Sequence, residues 1–113
     1  MVEPSGSIEL ELEIVTSDQS LVSDLRATSA IPGGATLTYK SQTLREAVGV
    51  PETITFVLTT IGAGVSTSLI GNWLYDRLKG KNVESLIIER TEIQIEPGEI
   101  ARIIHETIEI KKT

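Results

Sequence analysis

Residues 53–75, TITFVLTTIGAGVSTSLIGNWLY, run for 23 positions without a charged side chain, and their reading decides the fold. About 20 apolar residues suffice to cross a bilayer as a helix. Here eight of the 23 are Ser, Thr or Asn and three are Gly, leaving twelve apolar positions. A membrane span built from them is marginal. Placed on a helical wheel, Ile54, Leu58, Ile61, Val65 and Leu69 make one stripe. Phe56, Ala63, Ile70 and Leu74 lie roughly opposite, and Thr60, Gly64, Thr67 and Gly71 line a groove of small residues between them. A helix apolar on both sides needs cover on both, and small residues let a second backbone approach closely.

Gly62 and Gly64 weaken a helix by about 1 kcal/mol each relative to Ala. Either packing offsets that cost, or residues 54–60 form a β-rich strand and the helix starts near Gly64. We favour one long helix, irregular at Gly62–Gly64. Its end is marked by Asp76, Arg77, Lys79, Gly80 and Lys81, a charged last turn with a glycine cap. Trp73 and Tyr75 precede those charges, as an interfacial anchor in lipid or as the edge of a core in water.

Upstream, Ile8, Leu10, Leu12 and Ile14 alternate with Glu9, Glu11 and Glu13, which is a half-buried strand with a solvated carboxylate row. Thr16-Ser17-Asp18 offers N-caps to a helix carrying Leu21, Val22 and Leu25 and fading by Ser29. Ile31-Pro32-Gly33-Gly34 forces a turn, and Leu37 and Tyr39 alternate with Thr36, Thr38 and Lys40 as a second strand. Leu44, Ala47 and Val48 suit a short helical connector ended by Gly49 and Pro51.

Downstream, residues 83–89 and 92–96 read as a hairpin with its turn near Glu89-Arg90-Thr91. No Gly or Asn stands there, so the tight two-residue turn is not expected. Pro97 opens a last helix, Glu99 complements its dipole, and Ile100, Ile103, Ile104 and Ile108 form its apolar stripe.

The expected fold is α+β: a single small domain of order β-α-β-α-β-β-α, with a sheet of about four strands, helices packed on one face, and a long Gly-containing apolar helix at the centre. Residues 1–7 read as a flexible lead and 8–113 as the domain. At 113 residues the chain can spare little core, so losing its largest apolar element to lipid would leave one-faced strands and helices uncovered.

Ten Lys+Arg against sixteen Asp+Glu give a net charge of −6, which argues against nucleic acid as a partner. Without Cys there is no disulfide scaffold, thiolate zinc site or cysteine nucleophile. One His, His105 beside Glu106, supports neither a multi-His metal site nor a triad. Gly33-Gly34 and Gly62-x-Gly64 lack the residues that complete a phosphate or dinucleotide loop, since Thr67 stands where a third glycine belongs. No cofactor, metal or catalytic constellation is expected. No basic region followed by an apolar run opens the chain, so a cytoplasmic location is expected, with the inner membrane as the alternative.

The order of elements resembles the effector-associated constant components, small prokaryotic domains found beside effectors in conflict systems. The resemblance rests on the alternating first strand, a first helix carrying Asp24-Leu25-Arg26, a Gly-rich apolar central helix, a strand pair and a closing helix, from Ile8 to Ile108. Where that family often has a Trp after the Leu-Arg pair, this chain has Ala27-Thr28. The resemblance implies a non-catalytic adaptor or regulatory module in a defence-type system, with no active-site residues.

The leading functional expectation is a non-enzymatic interaction module that self-associates through the central helix. Its candidate residues are Leu58, Thr60, Ile61, Gly64, Val65, Thr67, Gly71 and Trp73. Two alternatives are a small membrane-anchored or pore-forming effector spanning residues 54–75, and an acidic immunity or antitoxin-type protein whose Glu row meets a basic partner.

Overall fold

The computed structural model describes residues 7–43, 50–60 and 64–112. Nine elements follow in the order β1 (Ile8–Thr16), α1 (Gln19–Ala27), β2 (Ala30–Ile31), β3 (Ala35–Gln42), β4 (Glu52–Thr60), α2 (Thr67–Leu78), β5 (Val83–Ile88), β6 (Thr91–Ile93) and α3 (Pro97–Lys112). The strands form one six-stranded sheet in the order β2-β3-β4-β1-β5-β6, antiparallel at every pairing. The class is α+β, but the expected sheet of about four strands is corrected to six. The expected element order is corrected too: β2 is an added strand, and the long central helix is replaced by a strand and a separate helix.

The uncharged stretch divides. Residues 52–60 are strand and 67–78 are helix. The first half is dense in β-branched Thr, Ile and Val, which suit a pleated surface better than a helix. Its Ile54, Phe56 and Leu58 alternate with Thr53, Thr55, Val57 and Thr59, a period of two that the helical wheel concealed. β4 pairs with β1 over its whole length, Ile8 opposite Thr60 through Thr16 opposite Glu52, so Leu10, Leu12 and Ile14 share a face with Leu58, Phe56 and Ile54. The second half begins where Ser66 caps α2, its Oγ accepting the Leu69 N–H at 3.3 Å. Gly80, at φ +72°, follows the C-cap. No helix among the described residues is long and apolar enough to cross a membrane, which weighs against the alternative of a helical span over 54–75.

The core lies on one face of the sheet. Phe56, Leu86, Ile70, Leu74, Ile100 and Ile104 are fully buried, joined by Leu21 and Leu25 from α1. The approach of a second backbone to the small residues of α2 comes from within the chain. A Cβ at Gly71 would stand 2.8 Å from the Pro97 carbonyl and 2.9 Å from the Ala101 amide, so α3 crosses α2 there.

The β5–β6 turn also departs from expectation. Ile88 pairs with Thr91, leaving Glu89 and Arg90 as a two-residue turn with φ of 50° and 71°. Non-glycine residues in this region cost roughly 1–2 kcal/mol each. The Glu89 carboxylate offsets part of this by accepting the Glu11 N–H at 2.6 Å and lying 3.4 Å from the Lys111 ammonium. The connector expected over Leu44, Ala47 and Val48, the irregularity at Gly62, and residues 1–6 of the lead lie outside the described residues.

Candidate functional site

The alternation that buries one side of β1 and β4 turns the other side away from the three helices of the described residues. On that side the register sets Thr36 beside Thr59 and Glu9, and Thr38 beside Val57 and Glu11. The next row runs from Thr55 through Glu13 and Ile87 to Glu92, and the last sets Thr53, Val15 and Ser85 together. Threonine on β4 and β3 therefore borders one side of an acidic stripe on β1, with Ile87 and Ser85 of β5 on the other.

Lys40, at the bulge in β3, reaches over β4 to Glu11, with Nζ 3.4 Å from Oε2. Their side chains are 57% and 34% exposed, so the pair is solvated and contributes little. Ser85 Oγ donates to Glu92 at 3.1 Å. Four glutamates (9, 11, 13 and 92) thus share this face with Lys40, and the field above it is negative.

The eight residues expected to form the interaction groove are not brought together. Leu58 and Thr60 are buried on the core face of β4, and Thr60 Oγ1 lies 3.5 Å from the Ile8 carbonyl. Gly64 is exposed and Val65 half-buried in the loop before α2, and Thr67 opens that helix. Gly71 lies under α3, while Trp73 is half-buried with the Arg77 guanidinium 5.2 Å from its ring centroid. Ile61 falls outside the described residues. What α2 turns outward is Leu69, 51% exposed.

Sequence reasoning missed a polar knot at the end of β4. Glu52 is only 6% exposed. Its Oε1 accepts from Gln42 Nε2 at 3.1 Å and Gln19 Nε2 at 3.3 Å. The Gln42 carbonyl oxygen accepts in turn from the Tyr39 hydroxyl at 3.2 Å and Arg26 at 3.5 Å, and Arg26 lies 4.0 Å above the Tyr39 ring. The visible signal was parity, since Glu52 is in phase with Ile54 and Phe56. This knot ties α1 to β3 and β4, and among the described residues no buried side-chain nitrogen or oxygen lacks a partner.

The remaining candidates for chemistry are peripheral. His105 is exposed on α3. No group of three or more His, Asp or Glu among the described residues is arranged to hold a metal ion. The shifted carboxyls sit at helix starts: the Ser20 hydroxyl and the Leu21 N–H hold Asp18 below the usual range, and Arg102 does the same for Glu99. Asp24, Leu25 and Arg26 have structural partners, Asp24 pairing with Arg77 at 3.4 Å, Leu25 buried and Arg26 on Tyr39. No protein family, curated protein or solved structure matches the chain.

Proposed function

We propose that this is a non-enzymatic binding module that docks a basic surface of another protein on its bare sheet face. The observation that carries the reading is a six-stranded sheet whose described helices lie on one side and, on the other, a glutamate stripe on β1 with the threonines of β4 and β3 along one side of it. From strand spacing and rise, β3, β4, β1 and β5 offer roughly 20 by 30 Å, on the order of 600 Å². A standard interface takes about 800 Å² per partner. Stacking two copies through this face sets one Glu9-Glu11-Glu13 row against another, which like charges oppose. The apolar stripe of α2 serves the core instead, through Ile70, Leu74 and Leu78. The reading therefore takes up the acidic-protein alternative. It does not lean on the family resemblance, whose long central helix is here twelve residues.

A photo-crosslinking residue at Val57, on the bare face, tests the reading against one at Leu69 on α2. The expected product is a heterologous adduct from Val57 to a basic protein, weakened by Glu9→Gln with Glu11→Gln and by salt. Adducts from Leu69 alone, or a homodimer from Val57, would overturn it.

A further inference from the structure

The edge of the sheet at β5 and β6 holds a feature that borders the docking face and shares Ser85 and Glu92 with it. β5 runs six residues, but β6 pairs only with its last three, Leu86 to Ile88. Beyond Ile93 the ladder stops, because Glu96 N–H bonds back to the Gln94 carbonyl at 2.9 Å and turns the chain toward α3. Among the described residues no strand lies beside the outer edge of β5 from Val83 to Ser85.

The gap is a solvent-open inlet of about 610 Å³ between residues 84–86 and 92–96. Three of its eight lining residues are glutamates, Glu84, Glu92 and Glu96, and none of the eight is cationic. Ile95, half-buried, is the apolar side chain open to it, while Leu86 and Ile93 beside it are buried in the core. A bare strand edge is a template for an incoming extended chain, and three carboxylates around it select that chain by charge.

We propose that this inlet receives an extended segment bearing Lys or Arg from the docked partner, added beside β5 where β6 leaves off. The partner is the one inferred from the bare face, but two of the carboxylates, Glu84 and Glu96, are not part of that face. An additional strand of three or four residues continues the line of β6 beside Val83 to Ser85, places an apolar side chain against Ile95, and brings its cations to Glu84 and Glu96.

Fluorescence anisotropy on the full chain tests this with a labelled seven-residue peptide alternating Lys and Val, and with the same peptide N-methylated at alternate backbone nitrogens. The unmodified peptide is expected to bind. N-methylation is expected to weaken binding by about tenfold or more, since it removes ladder donors. Glu84→Gln with Glu96→Gln is expected to weaken it about fivefold, and Glu9→Gln with Glu11→Gln to change it less than about twofold. Equal binding of the N-methylated peptide, or indifference to the Glu84 and Glu96 substitutions, overturns the inlet. Failure of the peptide while Val57 adducts persist removes the inlet alone, and loss of the adducts removes the docking reading.

Discussion

β1 and β4 each present two chemistries, and comparing their two faces explains both the stability and the reading of this molecule. On one face Leu10, Leu12, Ile14, Ile54, Phe56 and Leu58 meet three helices and are almost wholly buried. On the other, one residue along, Glu11, Glu13, Thr53, Val57 and Thr59 stay partly open to solvent, with Thr55 buried among them. The backbone is common to both, so what differs is cover. Burial makes one face costly to change, and thinner cover leaves the other free to be shaped by a partner.

The largest contrast is between neighbours. Phe56→Ala removes a fully buried ring and is expected to cost about 3–5 kcal/mol in urea unfolding. Val57→Ala, on the bare face, is expected to cost less than about 1 kcal/mol. Equal losses at the two positions would show that the bare face is packed. Next comes the helix layer that does the covering. Gly71→Ala improves helix propensity by about 1 kcal/mol, yet its Cβ meets backbone at 2.8 and 2.9 Å. Overpacking of about 1–3 kcal/mol is expected to win, giving net destabilisation. A gain in stability would place α3 farther from α2 than described.

A smaller effect, of opposite sign, belongs to the turn at the sheet's edge. Arg90→Gly relieves a side chain held at φ 71° and is expected to raise stability by about 0.5–1 kcal/mol, read as a higher urea midpoint. The smallest concerns α1 on the covered side. Its cap Asp18 has a depressed pKa from the Ser20 hydroxyl and Leu21 N–H. A lowered folded pKa stabilises above the unfolded carboxylate value and loses that stability as pH falls through the folded one. The Tm gap between wild type and Asp18→Ala is thus widest near neutrality and narrows below about pH 4. A gap constant across that range would contradict the cap.

Much of the covered face was legible because charge marked the pattern. Glu9, Glu11 and Glu13 announce β1, and Ile100, Ile104 and Ile108 announce α3. Asp18 and Gly80 punctuate helices where the structure ends them. β4 was read wrongly for the converse reason. Its open-face residues are Thr and Val rather than charges, so alternation hid inside an uncharged run and a helical wheel accommodated the same apolar positions. Gly71 carried a correct message, close backbone approach, but its partner Ala101 lies 30 positions along the chain and local pattern cannot name it. The tight turn at Glu89-Arg90 defied its residue types because a distant carboxylate contact, Glu89 to Glu11, holds it. The bare face was present as its glutamate row alone, since its Thr rows need strand order and register to meet.

The central claim, one sheet covered on a single side, can be read along β4 directly, because the native chain contains no cysteine. Single substitutions Phe56→Cys, Val57→Cys, Leu58→Cys and Thr59→Cys each give one thiol to time with a soluble disulfide reagent. The account predicts rapid labelling at 57 and 59 and slow labelling at 56 and 58, alternating with period two. Rates that follow a helical period, or protection at all four positions in the isolated monomer, would contradict it.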